Sequence, residues 1–199
     1  HVRAVMGISM GGMQTFQWAV SYPTFMDIAV PIAGTPQQSS YDLLMWTTQQ
    51  QSIEDHLRHG DEENALDEAE RIGLMNLTSP SKIASETKVQ DFEKFVASSV
   101  ADWKREETPY DYLAQLRAMI VHDVAPQGGT VEDAAETVKA KMLVIVARQD
   151  HLVNPLPALH FAELRQAPTL VLESDCGHMA TACQEAVMVA AVRGMLTEK

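Results

Sequence analysis

The feature that most constrains the fold of this chain is a serine placed between glycines near its start. The segment VRAVMG has the character of a short buried strand, and the glycine-rich run GISMGG overlaps its end. The following segment, MGGMQTFQWAVSYP, carries apolar residues at helical spacing and ends in a proline, which predicts a helix. The next segment, MDIAVPIAG, is a second apolar run of strand length, although Pro31 predicts an irregular end. A strand, a sharp turn, a helix and a strand in this order predict a parallel sheet with crossover helices.

The last third of the chain returns to the same alternation. KAKMLVIVARQD and APTLVLES have the apolar character of strands, and PLPALHFAELRQ between them is typical of a helix. The final segment, CQEAVMVAAVRGMLTEK, also has apolar residues along one helical side. We therefore predict an α/β core formed by residues 1–35 and 126–199.

Residues 36–125 have a different character and predict a helical lid inserted into that core. Two segments, DFEKFVASSVADW and YDYLAQLRAMIVHDV, each place apolar residues along a helical stripe, and no strand-like alternation interrupts them. The acidic run at residues 52–73 is more typical of a solvated helix face than of a binding patch. Such an insertion is expected to cover a site on the core.

Composition excludes several classes of partner. The chain has 199 residues and a formal charge of −12, whereas nucleic acids and anionic membranes favour a basic face. No run reaches the roughly 20 apolar residues of a membrane span.

The histidines form no set with metal-ligand spacing, so we predict no metal. No signal peptide is recognisable, which gives the cytoplasm as the expected location. For Cys176 and Cys183 we expect buried free thiols, with a bridge between them as the alternative.

Three residues in a particular order predict nucleophilic catalysis. Ser9 is the centre of a G-x-S-x-G motif that follows a strand and opens a helix, the arrangement of a nucleophile elbow. The backbone N–H of Met10 would then be one oxyanion donor. Asp150 and His178 each follow a predicted strand, so the chain order is serine, aspartate, histidine. Asp175 is a second candidate for orienting the histidine, because it lies close to His178 in sequence.

Each of these residues also has a purely structural interpretation. Ser9 could only occupy a glycine turn, Asp150 could cap the helix that follows it, and His178 could be an ordinary loop histidine. One such coincidence is plausible, but three in this order and at these strand ends are not.

Four segments resemble the homoserine O-acetyltransferase family of the α/β-hydrolase fold: GISMGGMQTFQWAVSYP, LRAMIVHDV, LVIVARQDHLVNP and DCGH. This resemblance implies the α/β-hydrolase fold, a mostly parallel sheet with flanking helices. It also implies a ping-pong reaction in which the serine accepts an acyl group from a coenzyme A thioester and passes it to an amino-acid hydroxyl. No bound cofactor is implied, and acyl-CoA would be a co-substrate.

Two positions depart from the pattern of that family. The family has an arginine that binds the substrate carboxylate, where this chain has Gln50, and commonly an aspartate after the catalytic histidine, where this chain has Met179. Without those charges a zwitterion loses its partners, so we expect a less polar alcohol, or water, as acceptor. Trp46, Tyr41 and Trp103 are candidates for lining the acceptor pocket.

The resemblance also implies further strands that are absent from this sequence. Enzymes of this fold have ~100 residues or more before the nucleophile, and the second oxyanion donor comes from a loop in that part. We therefore interpret the chain as a fragment, with a processed chain or a degenerate gene product as alternatives. A complementing N-terminal segment or a homodimer would then be the macromolecular partner. The competing functional hypothesis is an inactive hydrolase-fold fragment that acts as a binding or assembly module.

Overall fold

The chain forms a five-stranded parallel sheet covered by helices on both faces. A computed structural model describes residues 1–197, so positions 198–199 of the predicted core lie outside the described residues. The strands are β1 (Val2–Ile8), β2 (Met26–Ile32), β3 (Lys141–Met142), β4 (Val144–Ala147) and β5 (Thr169–Leu172). They are arranged in the order β1-β2-β4-β5, and the short β3 also pairs with β2. This is the α/β architecture that the sequence predicts.

Within residues 1–197, ten helices connect and cover these strands. They are α1 (Met10–Ser21), α2 (Ser40–Arg58), α3 (Asp67–Leu77), α4 (Pro80–Glu86), α5 (Phe92–Glu106), α6 (Pro109–Ile120), α7 (Val131–Thr137), α8 (Pro155–Arg165), α9 (Ala180–Cys183) and α10 (Glu185–Thr197). Parallel neighbours require crossover connections, and α1 and α8 supply them between β1 and β2 and between β4 and β5.

Alternation along β2 builds a separate apolar layer on each face of the sheet. Ala29 packs into a cluster with Phe16 of α1 and Phe161 of α8, whose rings meet edge to face at 5.1 Å. Ile28 and Val30, the neighbours of Ala29 in β2, point to the opposite face, where α10 covers them. Burial on both faces explains why β2 and β4 are nearly continuous apolar runs.

The prediction that Pro31 makes the strand end irregular was wrong, because β2 continues through this residue to Ile32. Pro31 is in register with Gly7 of β1. The backbone pairing resumes directly after it, since Ile32 accepts a hydrogen bond from the N–H of Ser9 and Ala33 donates one to Ile145. The lost N–H therefore removes a single bond from a strand that is supported from both sides.

Between β2 and β3 the chain is helical from α2 to α7. The segment leaves and rejoins the core at neighbouring points, because Gln37 and Asp123 form an isolated antiparallel bridge. Residues from α2, α3 and α6 enclose their own apolar cluster, which also includes Met13 of α1. This cluster joins the helical segment 36–125, hereafter the lid segment, to the helix that begins next to Ser9.

The expectation of free thiols was wrong: Cys176 and Cys183 form a disulfide. In a continuous helix, seven residues would separate the two Cα atoms by ~10 Å, which is too far for a bridge. Gly177 adopts a positive φ of 59°, and this turn brings the Cα atoms to 6.6 Å. Disulfides persist mainly in oxidising compartments, so the bridge counts against the predicted cytoplasmic location.

Candidate active site

Ser9 occupies a strained turn between β1 and α1. Its φ of 57° and ψ of −122° lie in a region that residues other than glycine rarely adopt. The close packing of the turn explains two of its glycines. A Cβ atom on Gly7 would lie 2.3 Å from the carbonyl oxygen of Gly11, and one on Gly12 would lie 2.6 Å from that of Ile32. Such strain is found at functional sites, where the surrounding structure over-determines it.

His178 and Asp150 reach Ser9 from the ends of two other strands. Asp150 follows β4, and His178 lies in a 3₁₀ turn (Gly177–Met179) beyond β5. Because parallel strands end at the same edge of a sheet, residues that are distant in sequence converge there.

The three side chains form a continuous hydrogen-bonded chain. The Oγ of Ser9 lies 2.9 Å from Nε2 of His178, and Nδ1 of His178 lies 2.7 Å from Oδ2 of Asp150. Asp150 and His178 are 5% and 7% exposed, so the carboxylate and imidazole interact away from bulk water. In this arrangement the histidine can accept the serine proton while the carboxylate holds its tautomer.

Asp150, rather than Asp175, contacts the histidine. The second oxygen of Asp150, Oδ1, accepts hydrogen bonds of 2.9 Å from the N–H groups of Leu152 and Val153. Asp175 contributes its backbone oxygen instead, which accepts a hydrogen bond from Ser79 of the lid segment.

The candidate oxyanion donor belongs to the helix that follows the nucleophile. Met10 is the first residue of α1, so its N–H is one of the donors at the helix N-terminus that lack an intrahelical acceptor. The helix dipole adds a partial positive charge at this point.

The predicted pocket residues occupy different environments. Met179 is 40% exposed and directly follows His178. Trp46 is 1% exposed and packs inside the apolar cluster of α2, α3 and α6. Trp103 packs against the same cluster and meets Tyr112 edge to face, with ring centroids 4.4 Å apart. Tyr41 lines a surface depression together with Asp150.

The amide of Gln50 is already engaged. Its Nε2 donates to Glu54 at 2.9 Å, and Arg117 of α6 donates to the same carboxylate oxygen at 2.8 Å. These two hydrogen bonds lower the pKa of Glu54. A polar cluster of mixed charge thus stands where the related family has an arginine.

Sequence reasoning missed Asp42 and Asn154, which lie beside the Asp150 loop. Asp42 belongs to a capping box with Ser39 at the start of α2, and the SSYD pattern could have indicated the cap. Nothing local in the sequence indicates that the same carboxylate contacts Asn154, 112 residues away.

Within residues 1–197, no three His, Cys, Asp or Glu side chains are grouped so that they could hold a metal ion. A search of the same span finds no helix with both the length and the apolar character needed to cross a membrane.

Comparison with known proteins finds similarity to acyltransferases and ester hydrolases. A probable acyltransferase from Methanothermobacter thermautotrophicus is 31% identical over 186 residues, which are 89% of this chain and 54% of the relative. A homoserine O-acetyltransferase from Nautilia profundicola is 25% identical over 78% of this chain and 49% of its own length. The chain therefore spans about half the length of these relatives. No family model matches it.

The solved structures define the fold. A homoserine O-acetyltransferase from Bacillus anthracis superposes with a TM-score of 0.82 at 24% identity, over 98% of this chain and 60% of that one. Structures described as acetyl ester hydrolases share the same architecture. The protein is an α/β-hydrolase-fold protein. Within that fold, its sequence is similar to the homoserine O-acetyltransferase family.

Proposed function

We propose that the chain carries the serine nucleophile and the acid–base pair of an acyltransferase or ester hydrolase that works through an acyl-enzyme. The observation that supports this most strongly is the hydrogen-bonded chain from Ser9 through His178 to Asp150, with distances of 2.9 and 2.7 Å. The strained φ of Ser9 supports it independently, because a serine in an ordinary turn has no reason to adopt it.

In the proposed reaction, Oγ of Ser9 attacks the carbonyl carbon of the acyl donor while Nε2 of His178 takes its proton. The negative charge that develops on the carbonyl oxygen is stabilised by the N–H of Met10. The intermediate collapses, and His178 returns the proton to the departing thiolate or alkoxide. An acceptor hydroxyl or water then gives its proton to His178 and attacks the acyl-enzyme. The second intermediate collapses as His178 returns the proton to Oγ of Ser9, which frees the serine.

The proposed donor is a small acyl thioester, such as acyl-CoA, or an ester, and the proposed acceptor is a weakly polar alcohol or water. Gln50 and Met179 support this choice of acceptor, because neither carries the charge that would pair with a zwitterion. The engagement of Gln50 with Glu54 leaves its amide less free to bind a carboxylate.

The exposed edge of the sheet at β1 supports the proposal of a macromolecular partner. In the described part of the chain β1 pairs only with β2, and Met6 and Ile8 are 46% and 47% exposed. These residues and Val192 of α10 line an apolar groove of about 550 Å³. We propose that a complementing segment, or a second copy of the chain, covers this edge. The same groove favours the second candidate function, a non-catalytic binding or assembly module.

A covalent probe separates the two functions. We expect a fluorophosphonate to label the folded chain at one residue, and the Ser9→Ala variant to remain unlabelled with an unchanged circular dichroism spectrum. Intact-protein mass spectrometry measures both. A folded wild-type chain without an adduct would favour the binding module, whereas full labelling of S9A would remove Ser9 from the mechanism.

A further inference from the structure

A buried carboxylate of the lid segment contacts the loop that carries Asp150. Asp42 lies in the first turn of α2 and has no exposed surface. Its Oδ1 accepts a hydrogen bond of 2.8 Å from the backbone N–H of Asn154. Its Oδ2 accepts one of 2.7 Å from the N–H of Ser39. A buried charge requires such partners, so the positions of α2 and of the loop are mutually constrained.

Two carboxylates share the donors of this loop. Asp150 accepts the N–H groups of Leu152 and Val153, and Asp42 accepts that of the next residue, Asn154. The three consecutive donors therefore fix the loop from both sides. Since Asp150 uses Oδ1 for this purpose, the direction of its other oxygen, which contacts His178, depends on how the loop is held.

We propose that Asp42 is a positioning residue for the triad: it holds Asn154, and through that residue sets the orientation of Asp150 toward His178. This role makes the lid segment part of the catalytic framework as well as a cover. The proposal rests on the proposed function only for its effect on rate, because the effect on the histidine is independent of turnover.

The simplest alternative is that Asp42 only caps α2. A capping box needs one oxygen of the carboxylate, and that requirement is met by Ser39. Capping alone explains neither the full burial of Asp42 nor the contact of its second oxygen with Asn154, 112 positions away. The chain offers a matched case in α7, where Asp133 forms the same capping box with Thr130 but is exposed and contacts no residue of the triad.

The test compares Asp42→Asn with Asp133→Asn in the full 199-residue chain. The first measurement is the NMR chemical shift of the Nδ1 proton of His178, which reports its hydrogen bond to Asp150. Asp42→Asn loosens the loop, so this hydrogen bond weakens, and we expect the signal to move to higher field. Asp133→Asn should leave it unchanged. The second measurement is the rate constant for fluorophosphonate labelling of Ser9, which should fall roughly 10-fold in Asp42→Asn alone.

A second pair of variants removes the hydrogen bond without changing Asp42. Asn154 has a φ of −58°, which the proline ring allows, so Asn154→Pro deletes the N–H. Asn154→Ala keeps the N–H, and both variants lose the side chain that caps α8. We expect the Nδ1 proton signal of His178 to move to higher field in Asn154→Pro and to change little in Asn154→Ala. This pair decides the question if Asp42→Asn does not fold.

The outcomes distinguish this inference from the proposed function. If the wild type is not labelled but its histidine responds to these substitutions, the positioning role stands and the acyl-transfer function fails. An unchanged Nδ1 proton shift of His178 and an unchanged labelling rate in folded Asp42→Asn, or in folded Asn154→Pro, would overturn the positioning role. A fall in thermal stability alone, equal in Asp42→Asn and Asp133→Asn, would assign Asp42 to capping only.

Discussion

At the scale of single residues, the site depends on groups held in unfavourable states by their surroundings. Ser9 is held at a positive φ, and Asp42 is a carboxylate without exposed surface. Neither state is stable in an isolated segment, since each needs neighbours from other elements. Sequence reasoning could identify Ser9 because its motif is local. It could not identify Asp42, whose partner Asn154 is contributed by the loop after β4.

A third side chain held in an unfavourable state, Glu70, predicts how the stability of the fold depends on pH. Glu70 of α3 is half-buried in the lid segment, and burial raises its pKa to about 7 from 4.5. Between pH 4.5 and about pH 7 the folded chain therefore binds more protons at Glu70 than the unfolded chain does. Burial also raises the pKa of the nearby Tyr112 phenol, and the charge of Glu70 adds to that effect. The contribution to stability is complete below pH 4.5 and is lost as the pH rises through 7.

We expect Glu70→Gln to remove this dependence. Wild-type chains should lose on the order of 1 kcal/mol between pH 5 and pH 8, after allowance for partial solvent screening, and the variant should not. Urea unfolding at the two pH values measures the difference. Glu68→Gln, which changes an exposed carboxylate of the same helix, is the control. An identical pH dependence in wild type and Glu70→Gln would refute the assignment.

At the scale of elements, the close approach of α1 to the end of β2 fixes the position of Ser9. The glycines of the motif differ in how strictly they are required. Gly12 faces the backbone of Ile32 and Gly34, with no room for a side chain, whereas nothing lies within 4 Å of a Cβ atom placed on Gly11. The G-x-S-x-G pattern treats Gly11 as essential, but the packing assigns the steric constraint to Gly7 and Gly12.

We therefore expect Gly12→Ala and Gly11→Ala to have opposite effects. The first forces α1 away from β2 and should cost about 1–3 kcal/mol of stability, with slower labelling of Ser9. The second adds a better helix former in open space and should be neutral or stabilising by up to about 1 kcal/mol. Chemical denaturation of both variants provides the comparison. Equal destabilisation would show that the packing of this turn is misassigned.

The sequence predicts most of these elements, because their periodicity is local. The strands around Val144 and Leu170 and the helix α8 follow from apolar patterning alone. The disulfide did not follow, because it depends on the turn at Gly177, which is held against the backbone of Thr78 in the lid segment. Patterning specifies which elements form, and contacts between elements specify how loops bend.

At the scale of the whole molecule, the fold brings residues from opposite ends of the chain to one edge of a parallel sheet. Ser9 and His178 are 169 positions apart and lie within hydrogen-bond distance. The lid segment contacts both loops of the acid–base pair, through Asp42 on Asn154 and through Ser79 on Asp175. At the edge of β1, by contrast, no element covers the apolar side chains of Met6 and Ile8 in the described part of the chain. The described residues therefore combine a hydrogen-bonded Ser9–His178–Asp150 chain with an exposed apolar sheet edge.

The central claim is that Ser9 forms an acyl-enzyme, and trapping that intermediate tests it most directly. The folded chain would be mixed with p-nitrophenyl acetate, quenched in acid and digested, and the acetylated residue located by peptide mass spectrometry. We expect one acetyl group on Ser9, and none in the His178→Gln variant under the same conditions. An acetyl group on another residue, or none on a folded wild-type chain, would contradict the account.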